Sequence, residues 1–159
     1  GKGFALQTGF DAAVKQKYDF IITLDGDSQH DPRFVPDFIA GLGIYDIVIG
    51  NRLNNMKKMP FQRILSNKIT SFLLSLRTAN RILDSQCGFR AYSNKVLKST
   101  KTTYYGYEAE SEIILLASKK KFTIGFVNVS TIYSDEESKI KPLSAIKGFI
   151  SVYFKYLSN

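Results

Sequence analysis

Leu24-Asp25-Gly26-Asp27-Ser28-Gln29-His30-Asp31-Pro32 follows directly on the apolar, β-branched run Phe20-Ile21-Ile22-Thr23. That run reads as a short buried strand, and Asp, Gly and Ser end it with turn chemistry. A strand so placed delivers Asp25 and Asp27 to the carboxyl edge of a sheet, where open α/β folds hold their ligands. Two carboxylates one residue apart, around a glycine that permits a tight bend, suit a hard divalent cation shared with phosphate oxygens. The same residues also suit a plain strand-capping turn. The extension through Gln29, His30, Asp31 and Pro32, with further motifs following in order, favours the cation site.

Outward from this stretch the chain alternates in period. Phe4 to Lys17 carries apolar residues at helical spacing, Tyr18 to Leu24 is the strand, and Phe34 to Leu42 is a helix with Pro32 near its first turn. Tyr45 to Ile49 is a second buried strand, closed by Gly50. Helix, strand, helix, strand predicts a parallel sheet built from right-handed crossovers. Asn54 to Met59 is a polar loop, Phe61 to Arg77 a long amphipathic helix, and Phe89 to Tyr92 a short strand. Glu108 to Lys119 is helical and Thr123 to Tyr133 alternates like a strand. From Lys139 a last helix puts Leu143, Ile146, Phe149, Ile150, Tyr153, Phe154 and Leu157 on one face.

The 159 residues are 44% hydrophobic, enough for the core of one domain. No apolar run approaches the roughly 20 residues a membrane span needs, and Gly1-Lys2-Gly3 is unlike a signal peptide. A lone cysteine, Cys87, excludes a disulfide framework and predicts a reducing compartment; with His30 the only histidine, no zinc spacing exists. The formal charge of +8 predicts an anionic partner. Aromatic residues follow helix and strand spacing, which argues against base-stacking and hence against nucleic acid.

Gly1-Lys2-Gly3-Phe4-Ala5-Leu6, Gly9-Phe10, Leu24 to His30, Gly50-Asn51-Arg52 and Arg63-Ile64-Leu65-Ser66 resemble, in order, the glycosyltransferase family 2 domain. Asp84 to Tyr92, Glu110-Ser111-Glu112-Ile113 and Glu137-Ser138-Lys139-Ile140 continue the likeness, which covers nearly the whole chain and is greatest for the polyprenyl-phosphate (dolichol-phosphate) mannose or glucose synthases. The resemblance implies an α/β GT-A fold, Rossmann-like, with a mostly parallel sheet flanked by helices. It implies that Asp25 and Asp27 hold Mg²⁺ or Mn²⁺ against the diphosphate of a nucleotide sugar, with Gln29 adding an amide oxygen. Gly1 and Lys2 fall in the family's loop near the diphosphate. The acceptor would be a polyprenyl phosphate or, as elsewhere in the family, a glycan.

A phosphorylated acceptor needs fixed cations, and a guanidinium offers phosphate a bidentate fork. Arg52, after a buried strand, and Arg63, at the start of a helix, are the expected catalytic cations together with Asp27. Arg90 either serves similarly or pairs with Asp84. A phosphate monoester acceptor needs little deprotonation; a saccharide hydroxyl would require a carboxylate from among Asp84, Glu110 and Glu112. Glu110 and Glu112, two apart on a helix, do not share a face, and both also read as acids favoured at a helix N-terminus. His30 is expected to pack or cap, and Cys87 to be a small core residue.

Family members normally begin with strands that bind the nucleotide, and this chain starts after them. The expectation is therefore a single partial domain over 1–159, N-terminally truncated and inactive alone, with an open sheet edge that favours oligomers. Residues 139–157 are expected to form an amphipathic helix on a membrane surface or in the core. The whole protein would then be a cytoplasmic enzyme, peripheral to the cytoplasmic face of a membrane. A non-catalytic basic module that binds membrane or nucleic acid is the remaining alternative.

Overall fold

The computed structural model describes residues 1–54, 56, 59–132 and 142–156, and of residues 142–145 the backbone alone. Strands β1 (Phe20–Thr23), β2 (Ile47–Asn51), β3 (Arg90–Ser93) and β4 (Ile124–Asn128) form one sheet in the order β1-β3-β2-β4. β2 and β4 pair parallel, and β3 pairs antiparallel with both β1 and β2. β1, β2 and β4 thus run one way and β3 alone is reversed. This corrects the simple parallel sheet: β3 sits between β1 and β2, because a fully buried strand saturates its hydrogen bonds wherever both neighbours are available. β1 has β3 as its one described partner, and Phe20 at that edge is half exposed.

Among the described residues six helices surround the sheet: α1 (Lys2–Lys15), α2 (Val35–Leu42), α3 (Phe61–Thr78), α4 (Asn94–Ser99), α5 (Ala109–Lys119) and α6 (Pro142–Lys155). A 3-10 turn at Pro32–Phe34 leads into α2, capped where Asp31 Oδ1 accepts from Arg33 N at 2.9 Å. α4 was not expected; it is one short turn that follows β3 directly. α2 packs across all four strands, stacking Phe38 on Phe89 with ring centroids 4.1 Å apart. Every residue of β2 and β3 is buried, so this centre is the rigid floor from which the strand ends project.

α5 lies between α3 and α6 and is buried almost all round, Glu110 and Glu112 included. α3 is amphipathic as expected, but inverted. Its buried residues are Asn67, Ser71, Leu74 and Thr78, and its exposed ones include Phe61, Leu65, Ile69, Phe72 and Leu76. The inner face is polar because it meets hydrogen-bonding partners: Ser71 Oγ donates to Ser85 Oγ and Asn67 Nδ2 to Asp84 Oδ1. α6 divides its apolar residues. Val152 and Tyr156 are buried and Phe149 packs on the core, while Ile146, Ile150 and Phe154 face outward. Tyr133, Leu157 and the Glu137-to-Ile140 motif lie outside the described residues, as does the side chain of Leu143.

Candidate functional site

Asp25 lies two residues past the end of β1 and meets a lysine from the first turn of α1. Lys2 Nζ lies 2.6 Å from Asp25 Oδ1 and 2.9 Å from Glu110 Oε2. Gly3 makes this possible, since a Cβ there would stand 2.8 Å from the Ala109 Cβ and 2.7 Å from the Tyr105 carbonyl carbon. The first turn of α1 can therefore press on the start of α5. Gly1 is the N-cap of α1, and a Cβ on it would meet Tyr105 O at 2.8 Å. The Asp25 carboxylate in turn lies over Gly88, where a Cβ would be 2.2 Å from Oδ2. His30, buried, places Nε2 3.5 Å from Asp25 Oδ2 and tilts its ring on Phe89, while its Nδ1 has no hydrogen-bond partner. It packs, as expected.

Burial alone would raise the Asp25 pKa, but His30 and Lys2 outweigh it and hold the carboxyl well below the usual range. For Lys2 burial acts downward, and Glu110 and Asp25 more than reverse it, raising its pKa. Both groups are therefore charged at neutral pH.

Asp27 is half-buried in the next turn, where its Oδ1 accepts from Gln29 N at 3.1 Å. The left-handed residue here is Ser28, with φ 58°, and not Gly26, which has no positive φ and open space around its would-be Cβ. The bend is thus made by an Asx turn, which corrects the role expected of Gly26. Gln29 is half-buried and its carbonyl accepts from Ile132 N at 3.0 Å. No protein cation stands beside Asp27 among the described residues. Nor do three or more His, Cys, Asp or Glu side chains gather there as a metal site. Two carboxylates and an amide are hard oxygen donors that fit Mg²⁺ or Mn²⁺ if water and phosphate oxygens complete the shell.

A second ionic cluster follows β2. Arg52 donates to Asp84 from its backbone N (3.0 Å), from Nε (2.9 Å) and from Nη2 (3.0 Å). Asn67 Nδ2 (2.6 Å) and Gln86 N (3.1 Å) add two more donors to the fully buried Asp84. Burial opposes its charge, but Arg52 and Asn67 outweigh burial and lower its pKa. The Arg52 fork expected on phosphate is thus directed at Asp84. Arg63, half-buried in the first turn of α3, has no side-chain partner among the described residues.

Arg90 is corrected outright. It has no exposed surface and does not meet Asp84; it donates from Nε to Cys87 O (2.7 Å), from Nη1 to Glu110 O (3.1 Å) and from Nη2 to Ser85 O (2.7 Å). A guanidinium so enclosed cannot reach a diphosphate. It instead fixes the 84–90 loop that carries both Asp84 and Gly88, tying the two clusters together. Cys87 is buried, and burial pushes its thiol up to about 12, so it is inert as a nucleophile.

Of the two α5 acids, one reaches the site. Glu110 holds Lys2, whereas Glu112 accepts from Thr103 N, Thr103 Oγ1, Tyr104 N and Tyr156 OH at 2.7 to 3.1 Å. Sequence reasoning missed Lys2 as the bridge to Glu110, and Asn67 as a holder of Asp84. The glycines flanking Lys2 were the available signal for the first, and a lone Asn on the inner stripe of α3 for the second. Two shallow concavities, one lined by Arg77, Lys119 and Tyr156 and one by Tyr45, Asn80 and Phe122, include none of these site residues.

The architecture is that of the GT-A glycosyltransferases. Glucosyl-3-phosphoglycerate synthase from Mycobacterium tuberculosis, solved with Mn²⁺, uridine diphosphate and glucosyl-3-phosphoglycerate, superposes with a TM-score of 0.70 at 20% identity, over 98% of this chain and 54% of that one. Residues 1–100 match the sequence profile of glycosyl transferase family 2, and the chain belongs to that family. An uncharacterized protein of Methanocaldococcus jannaschii is 34% identical over 166 residues, covering 99% of this chain and 67% of its own length. The UDP-N-acetylglucosamine–dolichyl-phosphate N-acetylglucosaminyltransferase of Methanococcus voltae is 32% identical over 164 residues, covering 99% and 64%. The chain thus spans about two thirds of these relatives and about half of the solved structure.

Proposed function

We propose that the complete protein bearing this chain transfers a hexose, with inversion, from a nucleotide-diphosphate sugar to a polyprenyl phosphate at the cytoplasmic face of a membrane. The observation that carries this reading is the Asp25 carboxylate pinned over Gly88 at the strand edge, with Asp27 in the adjoining turn. Support comes from the family and from relatives named for dolichyl-phosphate and undecaprenyl-phosphate transfer. Related folds solved with Mn²⁺ and uridine diphosphate support a divalent cation.

Asp25, Asp27 and Gln29 would hold Mg²⁺ or Mn²⁺, which supplies Lewis-acid neutralisation of charge on the departing diphosphate. Lys2, bridging Asp25 and Glu110, is placed to add a second positive charge on that side. Arg63, whose side chain has no partner among the described residues, offers its guanidinium to an acceptor phosphate, and Arg52, fixed by Asp84, adds its field there. A polyprenyl phosphate is preferred over a saccharide hydroxyl because the acids available as base are engaged: Asp84 by Arg52, Glu112 by Thr103 and Tyr156, Glu110 by Lys2. Among the described residues no helix is long and apolar enough to cross a membrane; contact with the lipid acceptor is proposed to involve the outward residues of α6, Ile146, Ile150 and Phe154.

The test is a donor screen with Mn²⁺ and a short polyprenyl phosphate, reading lipid-linked sugar. Asp25→Asn is expected to lower metal-dependent donor binding by about 100-fold or more. Donor binding by that variant equal to wild type would overturn the reading.

A further inference from the structure

We propose that the two shallow concavities together bind a small phosphate monoester, its phosphate between Arg77 and Lys119 and its organic part along Tyr45 and Phe122. The smaller, of about 180 Å³, is lined by Arg77, Lys119 and Tyr156, and the larger, of about 410 Å³, by Tyr45, Asn80, Lys121 and Phe122. Thr78 and Ser118 line both, so the two adjoin. The larger alone lies within the roughly 300–1,000 Å³ of small-molecule sites. Tyr45 stands just before β2 and Phe122 just before β4, whereas Arg52 follows the far end of β2, about 16 Å away along the strand. Arg63 lies about 21 Å from Arg77 along α3. The donor-side and acceptor-side residues described above are therefore no part of this site.

Charge selects the ligand. Among the described residues Arg77, Lys119 and Lys121 make no hydrogen bond or ion pair, and Arg77 Nε is enclosed without an acceptor. Lys119 Nζ meets the Tyr156 ring alone, 5.1 Å from its centroid. Basic residues in the last turn of a helix commonly serve its free carbonyls, but here those carbonyls are taken. Thr78 O, at the end of α3, accepts from Ser118 Oγ at 3.0 Å and from Asn80 Nδ2 at 2.9 Å. Leu116 O, Ala117 O and Ser118 O, at the end of α5, accept from the backbone N of Lys120, Phe122 and Lys121. The acids that touch the lining are engaged too, Asp46 by Lys95 and Thr123 and Glu112 by Thr103, Tyr104 and Tyr156. Three cations without a counter-charge outweigh the half-charge at each helix end. A guanidinium fork beside an ammonium suits a doubly charged phosphate. Tyr45, 39% exposed, and Phe122 then offer aromatic surface to the group the phosphate carries.

Calorimetric titration of phenyl phosphate into the protein at fixed ionic strength, without metal or donor, tests this, with hydrogen exchange locating the site. Saturable binding is expected, with slowed exchange at residues 77–80 and 118–123. Arg77→Gln with Lys119→Gln should lower the affinity at least about tenfold, and the melting temperature and metal-dependent donor binding should stay as in wild type. Inorganic phosphate should bind at the same residues about threefold more weakly, lacking the ring. Vesicles bearing phosphatidic acid should leave phenyl phosphate bound, which separates a soluble ligand from a lipid headgroup. No saturable binding, unchanged affinity in the double variant, or protection confined to the surroundings of Asp25 or Arg63 would each overturn the proposal. So would equal affinity for inorganic phosphate, displacement by the vesicles, or loss of donor binding in the double variant.

Discussion

Asp25 and Asp84 are both carboxylates near strand ends, both paired with a cation and both held below the usual carboxylate range, yet they are built differently. Asp84 has no exposed surface and takes donors from Arg52, Asn67 and Gln86 with near-ideal lengths. Asp25 keeps 28% of its side chain exposed and is held by an ammonium and, at 3.5 Å, an imidazole. A fork and an amide fix geometry; an ammonium is a movable point charge. A saturated carboxylate organises the fold, and an unsaturated one at the same sheet edge remains available to a ligand.

Truncation separates the two most sharply. Asp84→Ala removes a fully buried carboxylate that satisfies Arg52, Asn67 and Gln86 at once, and a loss of about 3–5 kcal/mol is expected, measured by urea unfolding. Asp25→Asn leaves Lys2 on Glu110 and should cost about 1 kcal/mol or less while removing metal-dependent donor binding. If Asp25→Asn proves the more destabilising of the pair, the division between structural and ligand-facing carboxylate fails.

A smaller perturbation targets placement instead of charge. Gly88→Ala would set a methyl 2.2 Å from Asp25 Oδ2, forcing the carboxylate off the loop. Stability is expected to fall by about 1–2 kcal/mol, with donor affinity in Mn²⁺ down about tenfold by calorimetric titration. Unchanged donor affinity would mean that Asp25 is not used where it lies.

These positions also mark where sequence reasoning stops. β1, β2, β4 and the long helices were legible because hydrophobic period reports burial within one element. The insertion of reversed β3 between β1 and β2 was not, since pairing partners are chosen across the fold. Amphipathicity announced two faces on α3 but not which turns inward; Ser85 and Asp84, from a distant loop, decide that. Asp25 and Asp27 were found through turn chemistry at a strand end. Arg90 was misread because its partners, three backbone carbonyls and the Glu110 carboxylate at 3.5 Å, are brought to it by the fold and not by local sequence pattern.

The mildest probe of the contrast is pH. The folded pKa values of Asp25 and Asp84 are lowered from an unfolded value of about 3.9, so the stability they contribute is fully present above that value and is lost as pH falls through the folded pKa values. The urea midpoint should hold level from pH 7 to about 5 and drop below about pH 4. In Asp25→Asn the acid limb should be shallower by the one proton that residue no longer binds, while the Asp84 contribution persists. On the alkaline side the sign reverses for Lys2: its raised pKa gives stability present below its unfolded value of about 10.4 and lost above the folded one. An acid limb in Asp25→Asn identical to wild type would show that the carboxylate enters the folded state without the charge its pairing with Lys2 requires.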